Sequence, residues 1–136
     1  CERESRRITG RYRLTEADFQ SSPDFDDAVC RAGWPVFADP SLLRSIVFDP
    51  TRVRPTAVPL RALISKEIGN LLMAGRCISS AYVAQGALRV IGTSLAIGQS
   101  AGLAAVETAR SEGQSIPENQ ESEVAAKIRA VLETGL

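Results

Sequence analysis

The chain has 136 residues, 44% of them hydrophobic, with 16 Lys and Arg against 16 Asp and Glu and no histidine. That composition can bury one modest core, and its balanced charge offers no field to draw nucleic acid or an anionic membrane surface. No apolar run approaches the roughly 18 residues of a membrane span, and three scattered cysteines (Cys1, Cys30, Cys77) without a histidine supply neither a metal set nor a disulfide framework.

In chain order, residues 6–14 alternate polar and apolar around Ile8, Tyr12 and Leu14, which predicts a half-buried strand. Arg3, Arg6, Arg7, Arg11 and Arg13 are interleaved with Glu2, Glu4 and Glu16, a pattern that fits a solvated, ion-paired face better than a nucleic-acid patch. Thr15-Glu16-Ala17-Asp18 reads as a helix start, Thr15 capping and two acids in the first turn. Asp24–Ala32 fits a short helix or a strand.

From Gly33 to Pro59 the chain carries Pro35, Pro40, Pro50, Pro55 and Pro59, which exclude a long helix and leave Ser45–Phe48 and Arg52–Val58 as the best strand candidates. Asn70–Ala74 reads as a short buried strand, followed by a glycine-punctuated loop to Arg89. Residues 93–112 read as a helix closed by Gly113, its inner surface lined by Gly98, Ala101, Gly102 and Ala105. Glu118–Glu133, with Val124, Ile128, Val131 and Leu132 on one side and Pro117 at its first turn, is an amphipathic helix.

Residues 70–102 form the most informative stretch. A strand feeds a glycine turn (Ala74-Gly75-Arg76), and Arg89 precedes a helix opening at Gly92-Thr93-Ser94. Free N–H groups and the dipole at such a helix start favour an anionic or polar ligand. Glycine lets the backbone approach it and tolerates any positive φ there. From spacing alone, Arg76 and Arg89 fit surface ion pairs more readily than ligand contacts, Cys77 a packed small hydrophobe more readily than a redox thiol, and Trp34 and Tyr82 packing residues.

Ala-Gly-Arg-Cys-Ile-Ser at 74–79, Gly-Ala-Leu-Arg-Val at 86–90 and Ile-Gly-Thr-Ser-Leu-Ala-Ile-Gly-Gln-Ser-Ala-Gly at 91–102 resemble the C-terminal flavin-contacting part of FAD-dependent oxidoreductases. That is the broad group with fumarate reductase and aspartate oxidase flavoproteins. Arg3–Gly10 and Leu14–Asp18 resemble the same family. The resemblance implies FAD as cofactor, with Gly75, Arg76, Arg89, Gly92, Thr93, Ser94 and Leu95 as its contacts. The N–H groups of Thr93, Ser94 and Leu95 would stabilise charge on the reduced ring. The implied fold is α+β (partial α/β): a C-terminal fragment of a Rossmann-type FAD-binding flavoprotein, with short strands and two C-terminal helices. Residues 1–69 would belong to a substrate or cap region, and 70–136 to the FAD-binding domain.

No G-x-G-x-x-G occurs in the chain. The expectation is therefore a C-terminal portion of a larger flavoenzyme, colourless and inactive when isolated. Its small-residue face would lie open, so it should self-associate, most simply as a dimer. Where relatives carry Asp-x-His-Asp-Pro, this chain has Trp34-Pro35-Val36-Phe37-Ala38-Asp39-Pro40. No residue is singled out as catalytic, although Arg44, Arg52, Arg54 or Arg61 could contact a small-molecule substrate. A non-catalytic interaction or assembly domain is the alternative. No leader is visible, though a truncated N-terminus would hide one, and a cytoplasmic location is expected.

Overall fold

Four helices and a two-stranded antiparallel sheet make up the computed structural model, which describes residues 6–34, 54–111 and 115–134. In chain order they are α1 (Glu16–Ser21), β1 (Ala28–Ala32), β2 (Thr56–Pro59), α2 (Tyr82–Leu88), α3 (Ile91–Arg110) and α4 (Glu121–Thr134), with 3-10 turns at Leu60–Ala62 and Gly75–Cys77. This is an α+β arrangement, and among the described residues there is no parallel sheet of the Rossmann kind. The Ser45–Phe48 strand candidate and the start of Arg52–Val58 lie outside the described residues.

Asp24–Ala32 resolves as a strand over its last five residues, pairing Cys30 with Val58 and Ala32 with Thr56 after an irregularity between Ala28 and Cys30. All four β2 residues are buried. Pro59 ends the strand, where its missing N–H removes no interior ladder bond. α3 packs on β1, and α4 packs on both. The resulting core is one cluster that includes Leu14, Val58, Leu60, Leu63, Ile78, Ile97 and Ile128, from both sides of the 69/70 boundary. Ser100 on α3 donates to Val29 O at 3.2 Å and Ala96 O at 2.8 Å, so its hydroxyl is satisfied inside this core. Cys30 lies against it, and burial pushes its thiol up to about 12. A thiol so held forms almost no thiolate near neutral pH.

Residues 6–14 are not a strand. They make single bridges, Gly10 with Ser65 and Leu14 with Ser80. Ile8 N donates to Cys77 O (3.0 Å), Arg11 N to Ile64 O, Tyr12 N to Arg61 O and Leu14 N to Ser79 O (each 3.1 Å). The alternation is real, but the donors go to two different segments, so no ladder forms. Gly10 lies where the segments meet: a Cβ there would stand 2.7 Å from Ser79 Cβ and 3.1 Å from Ala62 O. Gly10→Ala is expected to lower the free energy of unfolding by about 1–3 kcal/mol. Urea denaturation checks this, and unchanged stability would contradict the close approach.

Asn70–Ala74 is likewise not a strand. Leu72 bridges Ile64, Met73 N donates to Leu63 O at 2.7 Å, and only Met73 of the five is buried. At α1, Thr15 caps as expected: its N–H and hydroxyl both reach Asp18 Oδ2, at 2.7 and 2.8 Å. Two polar contacts tie distant parts of the chain together. Arg11 Nη1 meets Glu121 Oε1 at 2.7 Å and its Nη2 donates to Ile116 O at 2.7 Å, with only 12% and 7% of the Arg11 and Glu121 side chains exposed. Asp27 Oδ2 accepts the Arg61 N–H at 3.0 Å and lies 3.2 Å from Arg61 Nε. Burial pushes the Asp27 carboxyl up from its ordinary range.

Candidate functional site

The chain leaves Ala74 extended and turns at Gly75, whose φ of +66° lies in the left-handed region that favours glycine. A 3-10 turn follows over Gly75–Cys77, and it packs against both α2 and α3. Cys77 is half-buried and its thiol donates to Ala74 O at 3.0 Å. Arg76 is exposed at the turn's crest.

Gln85 holds this turn in place, and the sequence reading did not single it out. Its side chain is buried on α2, with Nε2 donating to Arg76 O at 3.1 Å while Oε1 accepts from Ser80 Oγ at 2.6 Å. The available signal was an amide among Ala84, Ala87 and Leu88, since a polar group on a buried face needs partners for both its donor and its acceptor. The α2 helix itself replaces the expected loop over these residues.

α2 and α3 meet at an angle of 91°, with Arg89 and Val90 as the corner. Arg89 is half-buried and its N–H donates to Gln85 O at 3.1 Å. Val90, extended at φ −75° and ψ 150°, caps α3 without a side-chain bond. α3 therefore starts two residues before the expected 93. Ser94 N already donates to Val90 O at 2.9 Å. The helix ladder is closed from Ser94 onward, and the donors left outside it belong to Ile91, Gly92 and Thr93 rather than to Thr93, Ser94 and Leu95.

The side chains of the first turn diverge. Thr93 is buried in the core, Ser94 Oγ donates to Leu88 O at 3.4 Å, and Leu95 is 69% exposed. Gly92 is exposed, has no positive φ, and a Cβ built on it meets nothing within 4 Å. Its openness, not an unusual backbone, is what it offers a ligand. No acid stands in the first turn of α3, and Arg76 and Arg89 flank it in the chain, so positive potential dominates there.

The small residues of α3 face the other way from the expectation. Thr93, Ile97, Ser100, Ala101, Ala104 and Thr108 turn inward. Gly102 and Ala105 are exposed and Gly98 is half-buried, alongside the exposed Ile91, Leu95 and Val106, so only Ala101 of the four sits inside. Two of the inward hydroxyls have carbonyl acceptors: Ser100 reaches β1, and Thr108 donates to Ala104 O at 2.8 Å.

Of the arginines considered for substrate contact, Arg44 and Arg52 lie outside the described residues, as does the stretch after Trp34. Arg54 is exposed, and Arg61 is engaged with Asp27 below the Tyr12 and Phe25 rings. Tyr82 is exposed on α2. Among the described residues no group of three or more His, Cys, Asp and Glu is placed to hold a metal ion. No single described helix is long and apolar enough to cross a membrane.

A family model described as FAD dependent oxidoreductase matches residues 2–128. No curated protein and no solved structure matches the chain.

Proposed function

Because the chain belongs to the FAD-dependent oxidoreductase family, we propose that residues 75–95 hold the isoalloxazine and ribityl end of FAD in a hydride-transferring flavoenzyme. The observation that carries this reading is the start of α3: three N–H groups outside the helix ladder, an open backbone at Gly92, and a flanking arginine. This donor set fits a flat ring whose carbonyl edge needs hydrogen bonds. When bound, FAD supplies hydride acceptance and donation.

The rest falls to this chain's own groups. The N–H donors of Ile91, Gly92 and Thr93, at the positive end of a 20-residue helix, would stabilise negative charge developing on a bound flavin. Gly75 and the Gln85 clamp fix the turn that presents Arg76, and the guanidinium groups of Arg76 and Arg89 would fork hydrogen bonds onto carbonyl oxygens of the bound flavin. With no G-x-G-x-x-G in these 136 residues, the pyrophosphate is held by residues other than these. The similarity to fumarate reductase and aspartate oxidase flavoproteins belongs to this proposal too, as does a small-molecule substrate.

Arg89→Ala tests the reading without disturbing the fold, because only the Arg89 backbone is bonded at the corner. The intact flavoprotein carrying this change should lose one charge-assisted contact of about 1.5–3 kcal/mol, or roughly 10–150-fold in FAD affinity. Flavin fluorescence titration measures it. Unchanged affinity would remove Arg89 from the site.

A further inference from the structure

Gln85 is 1% exposed on α2, so a ligand on the surface does not reach its side chain. Its amide nevertheless holds the turn that carries Arg76. Nε2 donates to Arg76 O at 3.1 Å, and Oε1 accepts from the buried Ser80 Oγ at 2.6 Å. A backbone carbonyl only accepts, so the donor end of the amide must face Arg76 and the acceptor end Ser80. Both ends are satisfied in that one orientation, which ties α2 to a turn none of whose three residues is buried. Gln85 meets Arg89 through its backbone alone, its carbonyl accepting the Arg89 N–H at 3.1 Å.

We propose, resting on the reading that residues 75–95 hold FAD, that Gln85 is a positioning residue for the flavin: its amide fixes the Arg76 carbonyl and so the direction in which the Arg76 guanidinium leaves the turn. An exposed turn at a left-handed glycine has other conformations open to it, and ordering it as the ligand binds costs affinity. A turn already held from behind avoids that cost. Ser80 acts one step further back, keeping the amide in the orientation that leaves Nε2 to the turn.

Double-mutant cycles on the intact flavoprotein, read by flavin fluorescence titration, test this. Gln85→Met keeps the bulk and removes the amide, and it should weaken FAD binding about 3–10-fold. Arg76→Ala should weaken it about tenfold or more, and Gln85→Met should add nothing in that background. Combined with Arg89→Ala, the two losses should multiply, because the Gln85 side chain does not hold Arg89. A general loosening of α2 would couple to both arginines alike.

Gln85→Glu gives a second readout within one protein. α2 packs against α1, with Glu16 and Asp18, against the turn, with Arg76 and Cys77, and against α3, whose Glu107 and Arg110 lie at its far end. Tyr82 on α2 and Arg89 just after it complete the set, and among the described residues none of these side chains bonds the Gln85 amide. The introduced carboxyl, pushed up by burial from its ordinary value of about 4.3, donates to Arg76 O only while protonated. FAD affinity of this variant should therefore fall as pH rises through the carboxyl's range, while that of the wild type stays level. A loss in Arg76→Ala without one in Gln85→Met, losses that multiply for that pair, equal coupling to Arg89, or a level pH profile for Gln85→Glu would each overturn the positioning role and leave the flavin reading standing. Unchanged affinity in Arg76→Ala would remove the turn from the flavin site, and the positioning role with it.

Discussion

Arg11→Ala is expected to cost about 3–5 kcal/mol of unfolding free energy, because it strands a buried carboxylate rather than merely deleting a contact. Arg11 reaches across 110 residues of sequence to Glu121 Oε1 at 2.7 Å, and its other terminal nitrogen satisfies Ile116 O at 2.7 Å. Both side chains are nearly out of water. Truncation leaves the Glu121 carboxylate and the Ile116 carbonyl without their donor, and it releases the first turn of α4 from the N-terminal segment. The exposed ion pairs are a useful contrast. Lys127 meets Glu123 at 3.0 Å in open solvent, and Lys127→Ala is expected to cost no more than about 1 kcal/mol. Urea denaturation of Arg11→Ala, Lys127→Ala and Arg11→Met/Glu121→Gln separates the two cases. The double variant should recover part of the loss, since it buries no unpaired charge. Equal costs for Arg11→Ala and Lys127→Ala would show that the buried pair contributes no more than a surface one.

The sequence was most readable where periodicity and chain breakers agree. α4 follows from apolar spacing, and Thr15 with Asp18 marks α1 through capping chemistry. Local rules failed where structure depends on distant partners. Residues 6–14 and 70–74 have the alternation or the apolar run of strands, but their partners are single positions in separate turns. α2 opens at Ala81 without a capping side chain and contains Gly86, so propensity argued against it. Gln85 and Ser80, closing on the Arg76 carbonyl, are what fix it against the turn.

The inner face of α3 was misread for a related reason. Alanine and glycine report little about which side is buried. Ser100 and Thr108 look like surface residues until their carbonyl acceptors are known. At the candidate site, Gly75 was legible as a turn glycine and Gly92 as an open helix start. The identity of the free donors was not, because Val90 caps α3 with its backbone alone.

The central claim is that FAD lies against the backbone at the start of α3, and Gly92→Val addresses it most directly. Gly92 is exposed and helical, its Cβ direction is empty to 4 Å, and valine has a better helix propensity than glycine. The substitution therefore leaves the fold intact, and only a ligand approaching the backbone would meet the new side chain. The decisive measurement is the ratio of FAD to protein, by absorbance after gel filtration, for the intact flavoprotein with and without Gly92→Val. Far-UV circular dichroism and Tm serve as controls for folding. The account predicts an unchanged spectrum and Tm with FAD retention abolished; a Gly92→Val protein that keeps FAD like the wild type would contradict it.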